Sequence, residues 1–184
     1  MFPNRHARFS PKRISPFTLL YLSLFLIFAS CGNKQSEEAL IAPEGMSVLD
    51  LSKYGKSFAM FVPDTIKTPL SITETSSGAL EIRVGDHFGI SINEQAADLT
   101  LIKSDLKADE VNKWKAYIVD VPTAIFWESE IVQPEFHFYV NQKLENSEYS
   151  IEDIKDTEAK PFSKEEVQKM FDCAKSLKAI KIQE

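Results

Sequence analysis

Two cysteines and three histidines are the side chains of this chain best suited to nucleophilic, acid–base or metal chemistry. Cys31 closes an apolar run directly after Ala29 and Ser30, which presents its thiol at a processing site rather than inside a fold. Cys173 neighbours the apolar stripe of a C-terminal helix, the setting of a small buried hydrophobe. A reactive thiol instead needs access and a lowered pKa. Asp86 and His87 share a turn, where an Asp-His step is at most half of an acid–base pair and is ordinarily solvated. His137 falls in a strand, on its more polar side. Asp105, Asp109 and Glu110 read as a wet helix face, because a calcium loop needs closely alternating acids around a glycine. No HExxH, CxxC, GxSxG, P-loop or GxGxxG pattern occurs. The sequence thus predicts no catalytic residue, no metal ligand and no cofactor, and it does not identify ligand-binding residues.

What surrounds Cys31 is more informative. Arg5, Arg8, Lys12 and Arg13 precede the run FTLLYLSLFLIFASC at residues 17–31, and no acid occurs before Glu37. A basic start, a short apolar segment and a small-residue end are the layout of a secretory signal. The apolar stretch, about 13 residues, falls short of the roughly 20 that a transmembrane helix needs. Phe28-Ala29-Ser30-Cys31 resembles the lipobox of bacterial lipoproteins, with Phe28 where that family usually carries Leu. The resemblance implies cleavage after residue 30 and acylation of Cys31, which becomes the membrane-bound N-terminus. Each buried methylene contributes about 0.8 kcal/mol and a single chain binds only reversibly, so several chains on one residue make a lasting anchor. The residues alone also fit an ordinary secretory leader with an incidental cysteine.

Taking residues 1–30 from the 184 leaves 154, enough for one domain with its own core. The leader holds four of the 21 basic residues and none of the 27 acids, so the formal charge falls from −6 to −10. That balance argues against nucleic acid or anionic lipid surfaces as partners, since both need a basic footprint. With Cys31 acylated, no disulfide can form within the chain. Residues 31–47 mix Gly, Pro and charge without periodicity and read as a flexible tether. Within it, Lys34-Gln35-Ser36-Glu37-Glu38 resembles the acidic export signal of some surface-exposed lipoproteins, and reads equally well as plain polar tether. Gly32 in place of Asp removes the best-known inner-membrane retention cue, which implies the outer membrane.

From residue 48 to 184 the composition is that of a single globular domain. Period-two alternation predicts strands over 57–62, 70–72, 80–84 and 88–92, with turns at Ser76-Ser77-Gly78 and Gly85-Asp86. Leu99, Ile102 and Leu106 then share one helix face, with Asp98 as cap. Strands follow over 114–121, 124–130 and 136–142, and Tyr149 opens a last one. Ser163-Lys164-Glu165-Glu166 is a capping box, Phe162 and Val167 form a staple, and Val167, Met170, Phe171, Ala174 and Leu177 make one stripe over 163–178. The strands at 114–121 and 124–127 are apolar on both sides and need cover on both faces. The expectation is α+β: an α/β/α sandwich, a mostly antiparallel sheet with one helix on each face.

This order of hairpins, helix, three strands and closing helix resembles the PsbP-like fold. Tyr54-Gly55-Lys56-Ser57-Phe58 and the stretch 161–177, opened by Pro-Phe-Ser-Lys-Glu-Glu, carry the likeness, which covers about 48–180. That family is largely non-enzymatic and binds proteins. The resemblance therefore implies a binding or scaffolding role with a protein partner in the cell envelope, not a reaction. The alternative is a carrier of a small ligand in a cleft between sheet and helix.

Overall fold

A computed structural model describes residues 40–154 and 160–180. The leader, Cys31 and the Lys34 to Glu38 stretch lie outside the described residues. The strands are β1 (Met46–Asp50), β2 (Phe58–Pro63), β3 (Leu70–Glu74), β4 (Leu80–Val84), β5 (Gly89–Asn93), β6 (Lys113–Val121), β7 (Ala124–Glu130), β8 (Pro134–Leu144), β9 (Ser147–Asp153) and β10 (Lys178–Ala179). The helices are α1 (Leu99–Ala108) and α2 (Lys164–Lys175). The class is mixed α+β. Among the described residues no helix is long and apolar enough to cross a membrane.

Two antiparallel sheets replace the single one expected. The larger has seven strands in the order β3-β4-β5-β9-β8-β7-β6, and the smaller has the order β1-β2-β10. The smaller sheet contains β1, which sequence reading placed partly in the tether. Its pairing runs from Met46 opposite Pro63 to Asp50 opposite Ala59, so ordered structure starts before residue 48. Only Leu49 is buried along β1, and one apolar position leaves no period to detect.

The strands bury themselves as their alternation requires. Leu80, Ile82 and Val84 of β4 and Ile90 and Ile92 of β5 join Phe58, Met60 and Val62 of β2 in the main core. Gly85 has φ +57°, and a Cβ there would stand 2.7 Å from Thr68 Cγ2, so this turn between β4 and β5 selects glycine twice over. The four residues Ala124 to Trp127 of β7 are all buried, as a strand covered on both faces demands. Ala124 and Phe126 enter the main core under α2, while Ile125 and Trp127 join Leu99 of α1 on the opposite face.

β6 departs from expectation. It is the outer strand of the sheet, and most of its residues are exposed or half-buried rather than covered on both sides. Two register shifts against β7, between Trp114 and Ala116 and between Tyr117 and Val119, leave Lys115 and Ile118 as extra residues. Each bulge reverses the alternation. Trp114 and Tyr117 therefore face the same side, ring centroids 5.1 Å apart, although their spacing of three would separate them in a regular strand. Val119 consequently points to the main core.

Both helices start where the sequence indicates. Asp98 Oδ1 accepts from the amides of Thr100 and Leu101, each at 3.0 Å. The Ser163 amide donates to Glu166 Oε2 at 2.6 Å and Ser163 Oγ accepts from the Glu166 amide at 3.3 Å. Val167, Met170, Phe171 and Ala174 are buried, and Phe171 meets the rings of Phe126 and Phe138 at 5.7 and 5.8 Å. Phe171→Ala is expected to cost about 3–5 kcal/mol, because a ring so enclosed leaves a cavity. Ser163→Ala is expected to cost about 1 kcal/mol through loss of the cap. Urea denaturation checks both, and negligible losses in the pair would mean that α2 is not docked.

Candidate functional site

The most concentrated buried polar chemistry lies where β8 and β9 part. Asp153, the last residue of β9, is buried. Its Oδ1 accepts from the Phe138 amide at 2.9 Å, replacing a strand partner, and its Oδ2 lies 2.7 Å from His137 Nδ1. His137 Nε2 lies 3.5 Å from Glu135 Oε2, within ion-pair range but without hydrogen-bond alignment. The imidazole thus stands between two carboxylates. Trp127, opposite His137 in the β7–β8 register, places its ring 5.5 Å away and stacks on Tyr139 at 6.0 Å with planes 9° apart. Burial, followed by a hydrogen bond to Glu152, pushes the Tyr139 phenol well above its usual range.

An Asp-oriented imidazole is the arrangement that serves general bases. Ser129 shares the Trp127 side of β7 and is fully buried. Neither Ser129 Oγ nor His137 Nε2 has a hydrogen-bond partner among the described residues, so the two are not bonded to each other. A serine activated by histidine needs that bond and an open approach for substrate. The geometry is that of a structural clamp. Among the described residues no three His, Cys, Asp or Glu side chains converge on a point fit for a metal.

The residues singled out in the sequence are dispersed. His87 is exposed and reaches Glu166 Oε1 at 2.5 Å, tying the β4–β5 turn to the start of α2. Cys173 is buried, and burial pushes its thiol up to about 12, which suits a core residue and not a nucleophile. Asp109 Oδ1 accepts from the amides of Val111 and Asn112 at 2.8 and 2.9 Å, which shapes the turn into β6, and Asp105 and Glu110 are exposed. The clamp was missed in the sequence. Its halves are 16 residues apart, and only the β8–β9 register brings them together.

A second feature is a concavity. An open groove of about 570 Å³ runs between the C-terminal end of α2 and strands β6 to β8. Val119, Val121, Val140 and Phe171 supply its apolar lining, and Lys143 and Lys175 its charge. Gln142 Nε2 donates to the Lys175 carbonyl at 3.2 Å, which fixes the helix end against β8.

In comparisons with protein-family models, curated proteins and solved structures, nothing matches this chain.

Asp153→Ala removes the partners of two buried donors, the Phe138 amide and His137 Nδ1. Leaving each unsatisfied costs about 1–3 kcal/mol, so a loss of about 2–6 kcal/mol is expected in denaturant titrations. A second expectation concerns Glu166. Partial burial opposes its ionisation, but the Ser163 amide and His87 outweigh burial and hold the carboxyl below its ordinary 4.5. A lowered native pKa contributes stability that is present above about 4.5 and lost as pH falls through the native value. The stability gap between wild type and Glu166→Gln should therefore be open at neutral pH and close on acidification. A gap unchanged down to pH ~3 would show that the carboxylate form does not support α2.

Proposed function

We propose that this chain is a lipid-anchored envelope protein, held at the outer membrane through acylated Cys31. Its domain is a non-catalytic binding or scaffolding module for a protein partner. The observation that carries this reading is the leader: four basic residues, an apolar run too short to span, and Phe28-Ala29-Ser30 directly before Cys31. Supporting it, the buried polar cluster of Asp153 and His137 ties β8 to β9, and Ser129 beside it is not bonded to the imidazole. The finer fold assignment, a PsbP-like α/β/α sandwich, belongs to the same proposal. It draws on α1 and α2 contacting opposite faces of the large sheet and on the capping box at Ser163.

Two measurements test the proposal. Cys31→Ala should leave the domain folded while shifting it from the membrane to the soluble fraction or stalling its processing. A cleaved Cys31→Ala protein that still fractionates with membranes would remove the lipid anchor. Crosslinking in intact cells followed by pull-down should retrieve a defined envelope protein with the wild type. Retrieval of none would count against the scaffolding role.

A further inference from the structure

We propose that β3 is a pairing edge for a second copy of this chain, joined antiparallel about a two-fold axis at Ser71 so that the two large sheets continue as one. The inference goes beyond the anchored binding domain and does not need the anchor. β3 is the outer strand of the large sheet opposite β6, and it pairs with β4 without a register shift. The Gly85 amide donates to the Pro69 carbonyl at 3.0 Å, and the Thr75 amide donates to the Ala79 carbonyl at 2.8 Å. These bonds, one at each end of the strand, set its odd-numbered residues toward β4. The N–H and C=O groups of Leu70, Ile72 and Glu74 therefore point away from β4, and among the described residues they have no partner. Pro69 removes no outward donor, because it belongs to the inward set.

The other edges are shorter or obstructed. β6 is broken by the bulges at Lys115 and Ile118 and carries the Lys115–Glu130 pair. On β1 the Asp64 amide donates to the Gly45 carbonyl, which sets Met46 outward, but the Met46 amide is already given to the Pro43 carbonyl at 3.0 Å. β10 has only two residues. β3 has no bulge, no lysine or arginine, and a single charge, Glu74, at its end. All its residues but Ile72 are exposed, Leu70 at 38%. A regular edge without such protection is a template for another strand.

The side chains select a second copy. Leu70, Ile72 and Glu74 lie opposite Val84, Ile82 and Leu80 and share their core-facing side, while Ser71 and Thr73 lie opposite Arg83 and Glu81 on the other. Antiparallel pairing about an axis normal to the sheet keeps both faces continuous, whereas parallel pairing by a two-fold sets apolar against polar. Centred on Ser71, the register puts Leu70 opposite Ile72 of the second copy and Ile72 opposite its Leu70, an apolar seam along the margin of the core. Each of those pairs exchanges both backbone hydrogen bonds, because their free groups already point outward. Glu74 meets Thr68 of the second copy and not its own charge, so nothing repels across the seam of a chain with 27 acids against 21 bases. A slip of one residue would turn the faces over. A strand of another protein would have to match this spacing, and a second copy does so by symmetry. The two-fold also leaves the equivalent Leu40 residues at one height along the axis, as two chains held by a single membrane require.

The test uses the full-length protein purified in mild detergent, with Cys31→Ala so that an introduced thiol is the accessible one, Cys173 being buried. Ser71→Cys sets two thiols across the axis in a pair without hydrogen bonds, where Cα atoms stand about 4.5 Å apart and a disulfide can close. Mild oxidation should convert most of this variant to a covalent dimer of twice the chain's mass. Thr73→Cys, on the same face but roughly 14 Å from its equivalent, should give little. Leu70→Lys without the added cysteine, at an exposed position, should weaken self-association in sedimentation about tenfold while circular dichroism stays unchanged. Equal crosslinking at positions 71 and 73, a disulfide to a protein of another mass, or a Ser71→Cys chain that stays monomeric on oxidation would overturn the proposal. So would self-association that Leu70→Lys leaves intact. Any of these would overturn this inference alone, because the measurement makes no use of the lipid anchor.

Discussion

The apolar stripe of α2 is the constraint from which most of the architecture follows. Val167, Met170, Phe171, Cys173 and Ala174 are buried in a core that includes residues of both sheets. A two-stranded pair such as β1 and β2 is marginal in isolation and needs something to pack against. That something is α2, which is tied down at each end. At its start the capping box orients Glu166 toward His87 in the β4–β5 turn. At its finish Ser176 Oγ accepts from the Phe61 amide at 2.8 Å and the chain continues into β10 beside β2. Fixing the helix therefore fixes the smaller sheet against the larger one, and places Phe171 and Lys175 at the mouth of the groove.

The two faces of the large sheet differ in how they are held. Under α2 the core is continuous and apolar. Under α1 it shrinks to Leu99, Ile125 and Trp127 with half-buried aromatics around them. Lys103 and Lys107, one turn apart, lie 5.8 and 5.6 Å over the rings of Tyr117 and Trp114, and Lys103 also pairs with Asp120. Burial, reinforced by Asp120 and partly offset by Lys103, raises the Tyr117 phenol. Among the described residues Trp114 Nε1, the Tyr117 hydroxyl and Ser129 Oγ have no hydrogen-bond partner on this side, and His137 Nε2 has only the Glu135 carboxylate at 3.5 Å. Each buried polar atom left unpaired costs free energy that apolar contact must offset. The α1 side accordingly has the smaller apolar core to offset its unpaired polar atoms.

Those differences explain how much the sequence disclosed. Local signals were legible: Asp98 before Leu99, Ser163 before Glu166, and alternation from residue 80 to 92 all act within a few residues. The features that were not legible depend on pairing across the sheet. Val119 looks like a partner of Tyr117 until the bulge at Ile118 turns them to opposite faces. β6 looks doubly buried until the strand order places it at the edge. Asp153 carries no local signal in the sequence, and is a buried clamp because it takes the place of a backbone acceptor for Phe138. The small sheet was invisible for a related reason, since β1 owes its order to β2 rather than to any periodicity of its own.

The edge at β6 joins these observations. A nine-residue strand at the margin of a seven-stranded sheet is an invitation to pair with another chain. Here the bulges at Lys115 and Ile118 break the run of free backbone groups, and the Lys115–Glu130 pair at 2.5 Å places charge beside the first. The second of these bulges turns Val119 toward α2, away from the face of Tyr117. With Val121, it enlarges the apolar lining at the helix end instead of completing a flat edge. A device that prevents strand addition thus leaves a concave apolar surface behind it.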